Sequence, residues 1–372
     1  MKKLQLIIFL LFIGVNIYAQ GPLLPNTFVQ PGPDSSGYTG PDMIVFDREG
    51  NQYRVSDLIF EKPVNGGGGQ SLTTPQTCTA GIFRLHFADF GTGLGFDDPL
   101  FPQANVIACQ VFTDISQLLN EANSPYTSIP DLGNGAYVEI EVRPSWNNAG
   151  NPTLGSCGQY HYQSSPGIVH GSVWQTINSG IDSWFGTNAT NLGNFGIYHG
   201  LLQVNFGHPF YYGANPSLIP ANEYDFYTMI LHEAMHGLGF GSLINSNGAS
   251  KIAPGIYSKY DTFLKENSTG SNLIIDGGCY TQTYNPSVAT SNLITPCTIE
   301  FAGTNSTFVT TNPPWFGGTS LSHYSIGECG NTGNYVMNPG LASGVTRRFY
   351  DIDEVTTLCD LGYSTSGVLA TH

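Results

Sequence analysis

The middle of the chain reads Asn222-Glu223-Tyr224-Asp225-Phe226-Tyr227-Thr228-Met229-Ile230-Leu231-His232-Glu233-Ala234-Met235-His236-Gly237-Leu238-Gly239-Phe240. Phe226, Ile230 and Ala234 recur at four-residue spacing, which puts them on one face of a helix turned to the core. Asn222 is a good N-cap, and Asp225 follows three residues on, where a carboxylate suits the positive end of the helix. Gly237-Leu238-Gly239 marks the stop, because glycine accepts the left-handed turn that ends helices. His232 and His236 sit at i and i+4 on a different stripe, one above the other. Two imidazoles so placed reach one zinc ion at about 2.0–2.1 Å each. Glu233, displaced around the helix, approaches the zinc-bound water instead and is the candidate general base.

A catalytic zinc site usually has a third protein ligand, and two placements compete. Glu266, in Tyr260-Asp261-Thr262-Phe263-Leu264-Lys265-Glu266, would complete a thermolysin-type hydrolase site. Alternatively the helix ends sharply at Gly239 and the chain turns back with a third histidine, as in metzincins. The usual position for that histidine holds Ser242, whose hydroxyl is a poor substitute for imidazole. His323, in Ser322-His323-Tyr324, then becomes the candidate, 87 residues beyond His236.

The pattern His232-Glu233-x-x-His236-x-x-Gly239-Phe240 resembles the leishmanolysin family, a metzincin branch. In that family a long insertion separates the glycine from the third histidine, and a methionine follows in a tight turn beneath the metal. Here Tyr335-Val336-Met337-Asn338-Pro339 stands in that place. The resemblance runs from about Ile82 to Tyr363. It implies an α+β fold of two subdomains: residues 82–242 with a mixed twisted sheet and the active-site helix, and residues 243–363, loop-rich, with the long insertion and a terminal helix. It further implies a zinc endopeptidase with His232, His236 and His323 on the metal, Glu233 activating the water and Met337 in the Met-turn. The ends of the stretch from 243 to about 320 must then lie close together. A catalytically inactive binding or adhesion protein on the same fold is the rival, and the intact Glu233 counts against it.

Working outward, Ile82 to Phe87, Tyr137 to Val142 and Leu201 to Phe206 read as strands. Gln103 to Leu119, with Val106, Ile107, Val111, Ile115, Leu118 and Leu119, has helix spacing. Ser172 to Ile181 and Asp351 to Leu361 are further helix candidates. Leu201 to Phe206 precedes the active-site helix and is the candidate edge strand for pairing with an extended protein or peptide substrate. Met43 to Phe46 and Gln52 to Val55 read as a hairpin. Residues 20–81 form an N-terminal extension or pro-segment with a linker at Gly66 to Gly69, and 364–372 form a tail. Asp89, Asp97 and Asp98 lie in a Gly-rich loop and are the candidates for a Ca2+ site, although their spacing matches no EF-hand.

Lys2 and Lys3 precede an apolar run from Leu4 to Val15 that ends near Ala19. This describes a secretory signal peptide over residues 1–19 and a secreted or periplasmic protein. The run is shorter than the roughly 20 apolar residues of a spanning helix, so no transmembrane segment is expected in the mature chain. With Lys+Arg 12 against Asp+Glu 27, the formal charge is -15. Loss of Lys2 and Lys3 takes it to -17, a poor match for nucleic acid or anionic membrane. A monomer is expected. Export makes disulfides the expected fate of the seven cysteines. Short loops favour Cys279–Cys297 and Cys329–Cys359, leaving Cys78, Cys109 and Cys157 to compete for one bridge. For Cys78, a bridge is favoured over a thiolate held on the zinc by a pro-segment.

Overall fold

Alternation of apolar and polar residues builds the central sheet. Strand β1 (Gln76–Ala80) pairs antiparallel with β2 (Phe83–Phe87), which runs parallel to β3 (Val138–Pro144). Strand β4 (Gly155–Gln159) forms one edge, antiparallel to β5 (Gly200–Val204), and β5 lies parallel to β3. The order is thus β1-β2-β3-β5-β4. The computed structural model describes residues 44–46, 52–54, 76–88, 95–101, 103–119, 137–144, 152–159, 161–179, 198–278, 281–311, 313–325, 327, 329–331 and 334–365. The expected signal peptide, the Gly66 to Gly69 linker, Asp89 and Cys279 lie outside them. Among the described residues no helix is long and apolar enough to cross a membrane.

Two corrections concern this sheet. It begins at Gln76 rather than Ile82, because Gly81, with φ +62°, turns β1 back onto β2. The strand expected at the edge, now β5, is interior, flanked by β3 and β4. Strand β4 is the edge on that side. Its small residues let it lie against the histidine helix: a Cβ on Gly155 would come within 2.8 Å of Met229 Sδ and 3.2 Å of Glu233 Cγ.

Helix α1 (Ala104–Leu119) buries Ala108, Val111, Phe112, Ile115, Leu118 and Leu119, with the Phe112 ring set edge-on to Phe83 of β2. Each large side chain so removed from water contributes roughly 1.5–3 kcal/mol before conformational entropy is set against it. Val106 falls on the other stripe and is exposed, contrary to expectation. Helix α2 covers Ser172–Ser179. Helix α3 (Phe226–Gly237) carries the paired histidines, and every one of its residues is buried.

The cap of α3 is Asp225, not Asn222. Its carboxylate accepts from the Thr228 N–H and hydroxyl. Arg348 clamps both of its oxygens, at 2.5 and 2.9 Å. A cation from far along the chain therefore selects which acidic or amide residue caps this helix. The helix ends as expected: the Leu238 amide bonds the Ala234 carbonyl and Gly239 takes φ +99°. Helix α4 (Ile352–Leu361) starts at Asp351 with a reciprocal capping box to Glu354 and stops at Gly362, φ 103°.

The stretch after α3 folds into antiparallel strands, with Leu264–Glu266 flanked by Ser271–Asn272 and Ile299–Ala302, and Ser306–Phe308 beyond. Its aromatic residues join the main core: Phe240 packs on Tyr260 at 4.9 Å between ring centroids, and Tyr260 on Phe301 at 5.0 Å.

The disulfides are Cys78–Cys109, joining β1 to α1, and Cys297–Cys329. Cys78 is therefore bridged. The expected pairs Cys279–Cys297 and Cys329–Cys359 are corrected. Loop-closure entropy changes slowly with length, so tertiary pairing decides. Ser325 donates its N–H to the Phe308 carbonyl, bringing the segment before Cys329 alongside the strands that follow Cys297. Cys359 is exposed on α4 and Cys157 is buried and free. Peptide mapping without reduction should recover both observed bridges. In the folded chain Cys359 should alkylate readily and Cys157 should resist. Recovery of a Cys329–Cys359 peptide would contradict this arrangement.

Candidate metal centre

His232 and His236 project from α3 as the i, i+4 spacing requires, and His323 arrives from beyond the antiparallel strands that follow it. The Nε2 atom of His323 lies 3.2 Å from Nε2 of His232 and 3.2 Å from Nε2 of His236. All three rings are buried. The return of the chain rests on a clasp between residues 242–251 and 317–322. The Ser242 amide donates to Ser322 Oγ at 3.0 Å. Lys251 Nζ donates to the carbonyls of Ser242 and Gly317, at 2.8 and 2.6 Å. Ser242 thus contributes its backbone to holding the segment that carries His323.

Each imidazole gives its Nδ1–H to a main-chain carbonyl. His232 bonds Val336 at 2.7 Å, His236 bonds Phe240 at 2.6 Å and His323 bonds Thr319 at 3.0 Å. A carbonyl oxygen only accepts, so the proton sits on Nδ1 and the Nε2 lone pairs face one another. Burial keeps the rings neutral: the pKa of His232 falls to about 4 and that of His236 to about 3, the latter lowered further by His232. His323 is pushed well below the ordinary value, first by burial and then by His236 and His232. Three converging lone pairs with no proton among them repel unless a cation lies between them. These three histidines are the group among the described residues that could hold a metal ion. Their 3.2 Å separations match what tetrahedral coordination at about 2.0–2.1 Å demands.

Glu233 is wholly buried, and its carboxylate lies near the Cys157 amide without receiving a hydrogen bond of ordinary geometry. Desolvation raises its pKa well above the ordinary range, with the nearby Cys157 amide only partly opposing the shift. Met337 is fully buried. It is next in sequence to the Val336 carbonyl that holds His232, and its own carbonyl accepts the Tyr324 N–H at 2.9 Å. Glu266, the rival third ligand, is engaged elsewhere: its carboxylate accepts from the amides and hydroxyls of Ser268 and Thr269. Asp97 and Asp98 join no metal-holding group among the described residues, and Asp98 Oδ1 accepts the Leu100 N–H.

Sequence reasoning found the imidazoles and missed what orients them. The carbonyls of Val336, Phe240 and Thr319 have no side-chain signature. The Arg348–Asp225 pair and the edge strand β4 depend on tertiary pairing. Glu354 was legible only as half of an Asp-x-x-Glu capping box.

Compared with models of known protein families, with curated proteins and with solved structures, the chain matches none.

Proposed function

We propose that the chain is a secreted zinc-dependent endopeptidase with a metzincin-like, leishmanolysin-like architecture. The observation that carries the reading is the convergence of three neutral, Nδ1-anchored imidazoles, with a buried carboxyl, Glu233, next in sequence to the first of them. His232, His236 and His323 would hold the ion. A zinc ion bound there supplies Lewis acidity toward a carbonyl and a water at neutral pH.

The chain's own groups do the rest. Glu233 takes the proton of the attacking water and passes it to the departing amine. Strand β4 presents an edge beside α3, along which an extended substrate backbone pairs with little demand on sequence. Val336, Phe240 and Thr319 fix the three rings before substrate arrives, so no imidazole has to reorient during the reaction. The N-terminal pattern of residues 1–19 supplies the export route, and oxidising conditions outside the cytoplasm suit the two disulfides. The mature chain acts as a monomer on protein or peptide substrates.

The purified chain should hydrolyse an unstructured protein such as a reduced, alkylated substrate. It should lose that activity on dialysis against a chelator and regain it with about one equivalent of Zn2+, the stoichiometry of a three-histidine catalytic site. A chain that binds one zinc tightly yet cleaves no peptide bond in any of a broad set of substrates would instead be the binding protein considered above.

A further inference from the structure

We propose that Glu354 is a positioning residue for the metal centre, acting on His232 through the peptide group between Val336 and Met337. The inference rests on the metal-site reading and concerns how that site is held. Glu354 is fully buried on the first turn of α4. Its Oε2 accepts the Asp351 N–H at 2.7 Å, which completes the helix cap. Its Oε1 accepts the Met337 N–H at 2.6 Å, a bond the cap does not need.

That N–H shares one peptide plane with the Val336 carbonyl, and the bond is trans, since the cis peptide bond of the described chain is Pro313-Pro314. In a trans peptide the N–H and C=O point in opposite directions. One side of the plane thus faces the Glu354 carboxylate and the other faces His232 Nδ1, 2.7 Å from the carbonyl oxygen. A carboxylate on the N–H polarises the amide and makes its carbonyl a stronger acceptor. A stronger acceptor on Nδ1–H fixes the ring and makes Nε2 a better donor to a cation, the effect a carboxylate has when it bonds a metal-ligating histidine directly.

His323 lacks this arrangement. The Thr319 carbonyl that anchors His323 belongs to a peptide whose N–H, on Ser320, bonds the Phe316 carbonyl, a neutral acceptor. Both Glu354 oxygens receive N–H donors, the bonding pattern of a carboxylate. Burial pushes its pKa up to about 8 against the pull of the two amides, so the charged form gains as pH rises toward 8 and the cobalt titration belongs at that end of the range.

The test uses the full chain stripped of metal and titrated with Co2+, whose visible spectrum reports ligand number and geometry. Glu354→Gln places an amide where two donors converge. It should weaken Co2+ binding about 10–100-fold and change the cobalt spectrum. Asp351→Ala removes the side chain that caps Asp353 and leaves the Met337 bond alone, so its Co2+ affinity and spectrum should match wild type. If Glu354→Gln does not fold, Glu354→Asp, which keeps the charge but shortens the reach, should show the same weakening and spectral change. Wild-type chain that takes up no cobalt overturns the metal centre itself. Wild-type uptake with an unchanged affinity and spectrum in the folded Glu354 variant overturns the relay alone.

Discussion

Glu233→Gln should leave metal content near one ion per chain and lower peptide hydrolysis by at least about a hundredfold, the usual loss when a general base is removed. Glutamine keeps the shape of the side chain but cannot take a proton. The residue belongs to α3, whose residues are all buried, so a change of volume would disturb packing. The isosteric amide avoids that. It also removes a buried carboxyl that receives no hydrogen bond of ordinary geometry, which by itself should not destabilise the fold. Intact stability with lost turnover is therefore the expected pair of results. Near-normal turnover in the folded variant would end the assignment of Glu233 as base.

His323→Ala should abolish tight zinc binding, whereas Glu266→Ala should leave it unaltered. His323 Nε2 lies 3.2 Å from both partner nitrogens, so its loss reduces the ligand set from three to two and opens a cavity beside them. The drop in affinity should exceed the roughly 10–100-fold cost of losing an outer partner. Glu266 holds the turn at Ser268 and Thr269, and its removal should cost local stability only. Isothermal titration of the two variants separates the cases. Equal zinc affinity in His323→Ala and wild type would remove His323 from the site and reopen the search for a third ligand.

Much of this arrangement could be read from residues alone, for physical reasons that also explain the failures. Helices α1 and α4 came within a residue of their ends because apolar periodicity and capping chemistry are local. The i, i+4 histidines were legible because one helical face is fixed by spacing. The cap of α3 was misplaced because Arg348 decides it from a distance. The identity of the edge strand was misjudged because chain order says nothing of the neighbours a strand acquires: β4 precedes β5 in sequence yet lies outside it. The pairs Cys279–Cys297 and Cys329–Cys359 failed for the same reason, since proximity in sequence is a weak guide when closure entropy varies only logarithmically, whereas the expected bridge at Cys78 formed. The anchors of the imidazoles are main-chain carbonyls, which every residue possesses.

The Cys297–Cys329 bridge bears on the order in which the site comes together. His323 lies within the ring that this bridge closes, whereas His232 and His236 lie outside it on α3. A ring of this size withdraws roughly 3–4 kcal/mol of disorder from the unfolded chain. Once oxidised, the third imidazole approaches the other two as part of a short tethered loop. The bridge therefore narrows the conformations from which His323 reaches the helix, and with them the entropic cost of completing the ligand set.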